Sequence, residues 1–356
     1  MTRLQSLGSP SASLAAHLGR RELLIGAAGL ALAGCHKNEA LTVSRTPRLH
    51  MRRLDTSIAA IAARAAPGVL GFGLMNLESG QFWVRLDDRP FPLAGVFALP
   101  LACAVLAEVE GGRLKLAETL AVGDKTLSPP PSAIADAWPG RTTYTAGDLL
   151  SAVVVDGDNT AADLLMKRIG GPGAVQAWLQ GAKVDEMRVD RYAREVQPAV
   201  LGMASFRAAW KGPQAFAAAA ATVPPERRHA ATLAYIADPR DSSTPRGMLG
   251  FLRRLHDGEL LSAPSLGRLL PMMERASRGA DGIKAGLPKA TAFAHTSGTS
   301  GADQGLTAAC NDVGIFTLPD GRSYAIAAFL SGSTATDAQR AALFADLGRA
   351  AVSSIG

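Results

Sequence analysis

Metal-binding, redox and aromatic residues are scarce in this chain of 356 residues, which has 3 cysteines, 6 histidines and 5% aromatics. His17, His36, His50, His229, His256 and His295 show no ligand spacing such as His-x-x-x-His, so no metal is expected. No glycine-rich phosphate loop follows a strand pattern, so nucleotide binding is not expected either, and no cofactor is called for. The apolar segment Leu23 to Ala33 is too short to cross a membrane as a helix. Cys103 and Cys310 lie far apart inside apolar runs and read as small buried hydrophobes. The stretch from Arg89 to Leu106, which opens an apolar helix after a hairpin pattern, contains no serine, threonine or lysine. What is abundant is apolar: 47% of residues are hydrophobic and 19% charged, enough to bury a full core.

The formal net charge of +6 is confined to one end. Arg3, Arg20, Arg21, Lys37, Arg45, Arg48, Arg52 and Arg53 face only Glu22 and Glu39, and the remaining chain is balanced. A neutral body argues against electrostatic nucleic-acid binding. Arg20-Arg21 ahead of the apolar segment resembles a twin-arginine export signal. Leu32-Ala33-Gly34-Cys35 resembles a bacterial lipobox, in which Cys35 is acylated; a plain secretory signal with an incidental Cys35 is the alternative. The chain is thus expected to divide into an export signal (1–34), a polar, basic tether (35–50) and a folded domain (51–356). The expected location is the periplasmic face of a bacterial membrane, held by lipid on Cys35, or the soluble periplasm if Cys35 is not acylated.

Within the domain, Leu54, Ile58, Ile61 and Ala62 have a helical period over Met51 to Ala65. Two strand patterns flank Asn76-Leu77-Glu78-Ser79-Gly80, a hairpin signal. Helices are expected at about Pro100 to Val109, from Ala146 behind the N-cap Thr145, at Asn159 to Arg168, at Pro245 to His256 and at Ser265 to Arg275. The Ala-rich segment 198–237 predicts two short helices, the second entered at Pro224-Pro225. Strand patterns return at 292–299, 311–318 and 324–330, and Asp337 to Ile355 is a closing amphipathic helix. Strands at both ends with helices between them predict an α+β fold, with an α/β part at 51–88 and 281–356 and a helical part at 89–280.

Four segments carry a resemblance: Arg89-Pro90-Phe91-Pro92, Asp158-Asn159-Thr160-Ala161-Ala162, Asp238-Pro239-Arg240-Asp241 and Ile283-Lys284-Ala285-Gly286-Leu287-Pro288. In this order and spacing the chain resembles the class A serine β-lactamases, relatives of the penicillin-binding proteins, over about residues 55 to 355. The resemblance implies a five-stranded antiparallel sheet flanked by helices, an all-helical subdomain, and a site in the groove between them. Family chemistry uses Ser-x-x-Lys, Ser-Asp-Asn and Lys-Thr-Gly, plus a loop glutamate that activates water.

Carried over residue by residue, the first motif reads Gly95-Val96-Phe97-Ala98 and the second Gly157-Asp158-Asn159. The base position is Ala193, with Gln197 where a water-holding asparagine would lie, and the last motif reads Thr296-Ser297-Gly298. The family oxyanion hole would use the backbone N–H groups of Gly95 and Thr299. Groove candidates for a ligand are therefore Gly95, Asp158, Asn159, Gln197, Ser297, Gly298 and Thr299. Arg191 and Asp241 resemble the ion pair that closes the base-carrying loop, here widened by the insertion; its Phe206, Trp210 and Phe216 either cover the groove like a lid or bury on the domain side of a surface helix pair. Three readings stay open. One is a non-catalytic envelope protein that binds a cell-wall or β-lactam-like small molecule, or an envelope protein. The second is a hydrolase rebuilt on Ser297 with Asp158. The third is a structural protein whose groove is filled by its own insertion.

Overall fold

The computed structural model describes residues 48–356. The signal segment with Arg20 and Arg21, Cys35 and most of the tether lie outside the described residues. The tether boundary moves slightly: Leu49 is buried and bridges Ile355, and the His50 N–H donates to the Ser354 carbonyl. The folded domain therefore takes in 48–50, because Leu49 supplies an apolar side chain to the core beside the C-terminus.

Helix α1 (Met51–Ala65) leads into the hairpin β1 (Val69–Asn76) and β2 (Phe82–Arg85). The Asn76 carboxamide accepts from the Glu78 and Ser79 N–H groups, 2.9 Å each, and so shapes the turn that the sequence signals. A short β3 (Phe91–Pro92) precedes α2 (Ala98–Glu110), β4 (Thr119–Ala121), α3 (Ala133–Ala137) and β5 (Thr143–Thr145). Helix α4 (Ala146–Ser151) runs into a wider π-turn at Ala152–Asp156, followed by α5 (Asn159–Arg168) and α6 (Pro172–Gly181). Next come α7 (Ala193–Val200), α8 (Pro213–Ala221), α9 (Pro225–Ala237) and β6 (Ser242–Ser243). The chain closes with α10 (Pro245–His256), α11 (Ala263–Glu274), α12 (Ile283–Gly286), β7 (Ala292–Thr299), β8 (Ala302–Asp303), β9 (Leu306–Thr317), β10 (Ser323–Ser333) and α13 (Asp337–Ser353).

The main sheet is antiparallel, in the order β2-β1-β10-β9-β7, with the two-residue β8 added beside β9. Sequence-distant ends meet in its centre, where Leu70 pairs with Leu330 and Phe72 with Ala328. Alternation along β1 sends Leu70, Phe72 and Leu74 to the face covered by α1 and α13, where they pack with Leu54, Ile58 and Leu347. The other face carries Ala325, Ala327 and Phe329 toward α10 and the helical part. This is the expected α+β architecture: a five-strand path flanked by helices, with a helical subdomain on one side.

One local expectation fails. The segment Arg191 to Gln197, read as a loop, contains most of α7. The helix contains Pro198, and its start is held from outside: Asp163 accepts from the Ala193 and Arg194 N–H groups at 2.7 and 2.9 Å. Tertiary capping outweighs the local signal.

Candidate functional site

The groove begins where β3 turns into α2. The Asn311 side chain on β9 donates to the Pro92 and Leu93 carbonyls at 2.8 and 2.9 Å, and the Leu93 N–H donates to Asp241 O at 2.8 Å. These bonds hold a turn in which Ala94 has φ +45°. A non-glycine residue in that region is strained, so the surroundings impose it. The Ala94 N–H faces the hydroxyl of Tyr235, which reaches in from α9, and burial pushes that hydroxyl pKa up.

Gly95 follows. A Cβ at this position would lie 2.9 Å from Gly298 Cα and 3.1 Å from the Ser297 carbonyl. The backbone of β7 thus abuts the position where a side chain would start. Ala98, one turn on, is a buried methyl at the start of α2.

The π-turn ends at Gly157, whose φ of +64° suits glycine. Here a Cβ would come within 3.0 Å of the Arg278 Cζ and Nη1 atoms. Next, Asp158 N-caps α5. Its carboxylate accepts from Ser132 Oγ (2.8 Å), Ala161 N (2.9 Å) and Ile134 N (3.0 Å), and burial raises its pKa. Asn159 donates to Pro129 O at 3.0 Å. Both residues of this motif therefore carry structural bonds.

Across the groove, α7 presents buried Ala193 and half-buried Gln197. Asp163 beneath α7 is fully buried, accepts from Ser128 Oγ at 2.6 Å as well, and has its pKa pushed up to about 6 by desolvation. Glu195 points back along its own helix and accepts from the Tyr192 N–H at 3.0 Å. Arg191 and Asp241 form the expected pair at 2.5 Å, and Arg191 also meets Asp238 at 3.2 Å. Asp241 accepts from the Asp190 and Arg191 N–H groups, while Asp190 accepts from the Asp241 N–H, so the clasp is reciprocal.

These elements line an open-mouthed cavity of about 590 Å³. Of the residues singled out from the sequence, Gly95, Ala98, Gly157, Asp158, Asn159, Arg191, Ala193, Gln197, Asp241 and Thr299 line it. Thr296, Ser297 and Gly298 do not. Strand alternation accounts for Ser297. It shares a face with His295, and its Oγ lies beside Gly279, where a Cβ would come within 2.8 Å. His295 itself is buried, stacked on Phe293 and bonded through Nδ1 to Asp312 at 2.8 Å, away from the groove as alternation predicts. Asp158 lines the cavity and Ser297 does not, so the two do not share it.

The insertion roofs the cavity. Phe216, Ala217, Ala220 and Ala221 of α8, with Thr232 and Tyr235 of α9, are part of its wall. Phe206 packs behind Phe216, ring centroids 6.2 Å apart, while Trp210 is not among the lining residues. Because the α8 wall is mainly alanine methyls, the roof leaves volume beneath it, and the groove is covered without being filled. Sequence reading missed Arg278, Arg228 and Tyr235 in the lining; none of them belongs to a motif, and only the tertiary fold brings them in. Among the described residues, no group of three or more His, Cys, Asp or Glu could hold a metal, and both Cys103 and Cys310 are free.

A family model described as the β-lactamase enzyme family matches residues 53–355. The chain is 28% identical over 283 residues to β-lactamase VEB-1 of Pseudomonas aeruginosa, covering 79% of this chain and 83% of that relative. It is 29% identical over 293 residues to the extended-spectrum β-lactamase PER-1 of the same organism, covering 82% and 83%. Among solved structures, a β-lactamase from Chitinophaga pinensis is similar with a TM-score of 0.67 at 30% identity, over 83% of this chain and 97% of that one. An ancestral class A β-lactamase gives 0.68 at 26% identity, over 84% and 99%.

Proposed function

The chain belongs to the β-lactamase enzyme family with the class A fold, and from that membership we propose a non-hydrolysing member: an envelope lipoprotein that holds a small β-lactam-like or cell-wall ligand without cleaving it. The observation that carries this reading is at Gly95. No side chain is present there to attack a carbonyl, and the β7 backbone stands 2.9 Å from where its Cβ would be. Ala98, Gly157, Ala193 and Thr296 extend the reading, since none offers the lysine, relay hydroxyl, general base or cation that the resemblance implies at these positions. Residues that act as a unit in catalysis are lost non-additively, and several missing members leave little residual rate. The cavity supports a binding role; the β-lactam-like ligand is suggested by the relatives' names, and the cell-wall ligand by the resemblance to the penicillin-binding proteins.

A hydrolase rebuilt on Ser297 and Asp158 is not favoured, because Ser297 does not line the cavity and the Asp158 carboxylate is already held by three donors. The test is turnover of a chromogenic cephalosporin by the purified chain. The expected rate equals that of a heat-inactivated control, while the intact cephalosporin raises the melting temperature. Turnover above the control would overturn the proposal.

A further inference from the structure

Six charged residues line the cavity: Asp158, Arg191, Arg228, Asp241, Arg278 and Asp303. Four are matched internally, Arg191 with Asp241 at 2.5 Å and Arg228 with Asp303 at 3.1 Å. Asp158 is satisfied by three donors from its own surroundings. That leaves Arg278. Among the described residues it has no ion-pair partner; Asp156 and Asp158 act on it only at longer range. Its one hydrogen bond within the protein is a long one, from Nη2 to Gly157 O at 3.4 Å.

Its guanidinium is packed against the Gly157 backbone, in space that any side chain at 157 would contest. Burial pushes the Arg278 pKa down and outweighs the opposing pull of Asp156 and Asp158, neither of which pairs with it. A guanidinium presents five N–H donors in a planar fork matched to a carboxylate, and most of this fork is unused.

The rest of the lining has the opposite character. Phe216, Ala217 and Ala220 of the roof face a chamber shared with Phe97, Val196 and Val200. A cavity of about 590 Å³ lies within the usual range for small-molecule sites. One cation without an ion-pair partner, in a cavity whose roof side is apolar and whose other arginines are paired, is complementary to a molecule with one anionic end and a hydrocarbon body.

We propose that the cavity takes an amphipathic monoanion, with its carboxylate held by the Arg278 fork and its apolar body lodged under α8. This rests on the reading of the groove as a binding site, and it specifies the chemistry of the occupant. Charge-assisted hydrogen bonds are strong enough that the carboxylate should confer roughly tenfold or more in affinity.

The experiment is calorimetry of the full chain with dodecanoate, dodecanol and acetate, each below any micellar concentration. Dodecanoate should bind at least about tenfold tighter than dodecanol, and acetate should not saturate. Arg278→Gln should abolish the preference for dodecanoate while leaving dodecanol affinity unchanged, and Arg278→Lys should retain part of it. Ala217→Trp, which fills the chamber, should weaken both long-chain probes, with folding checked by circular dichroism. Equal binding of dodecanoate and dodecanol to the unaltered chain, or an undiminished preference in Arg278→Gln, would overturn the proposal. Because the readout is binding, cephalosporin turnover would sink the non-hydrolysing reading without deciding this one.

Discussion

Asp163 shows how a single buried carboxyl holds the site together. It receives Ser128 Oγ and two N–H groups from the start of α7, yet desolvation dominates and its pKa stands at about 6. An unfolded aspartate releases its proton near 3.9. Across the window from about pH 4 to 6 the folded chain therefore binds more protons than the unfolded chain, and this group's contribution to stability falls as pH rises, by about 3 kcal/mol in all. Asp163→Asn should flatten the pH dependence of urea unfolding in that window relative to the unaltered chain. An unchanged slope would show that the proton is not held there. Among the groove residues, Gly95, Ala193 and Gln197 could be placed from sequence because neighbouring motifs fix their register. Arg278 could not, because its position depends on how the segment after α11 folds back over Gly157.

At the scale of elements, α8 and α9 form one wall of the groove. Both helices were legible: Pro213 and Pro225 open α8 and α9, and the alanine run between them has high helix propensity. Their destination was not, because a short apolar helix pair packs equally well on any apolar surface. What directs it is the clasp at its base, where Arg191 and Asp241, 15% and 8% exposed, bring together segments 50 positions apart. Asp241→Asn removes the charge and leaves Arg191 with Asp238 alone. Breaking such a pair costs about 3 kcal/mol. The expected outcome is a lower urea midpoint together with faster limited proteolysis between residues 201 and 237. A lower midpoint with unchanged cleavage there would mean that the clasp supports the core and not the roof. Helix α7 shows the same limit of local reading, since its start is capped by Asp163 from another helix.

At the scale of the whole molecule, the basic residues gather at one end and the body is neutral. No helix among the described residues is long and apolar enough to cross a membrane. If lipid on Cys35 is the attachment, binding comes from acyl chains at roughly 0.8 kcal/mol per buried methylene and not from charge. Membrane-bound protein should then stay bound in a high-salt wash, which screens electrostatic attraction. Cys35→Ser should move it to the soluble fraction. Release of the unaltered chain by salt would assign attachment to the basic segment instead. The pairing of Leu49 with Ile355 places the start of the described domain beside its last residues.

The contact between Gly95 and Gly298 also bears on what selection could make of this chain. A serine introduced at 95 would first have to shift the β7 backbone at Gly298, at a cost in stability before any chemistry could begin, and a lysine at 98 would be of no use without it. On the non-hydrolysing reading proposed above, the route to antibiotic hydrolysis would therefore cross a valley in which the early steps are costs. A selection for resistance that starts from this gene and admits one substitution at a time should find other solutions first.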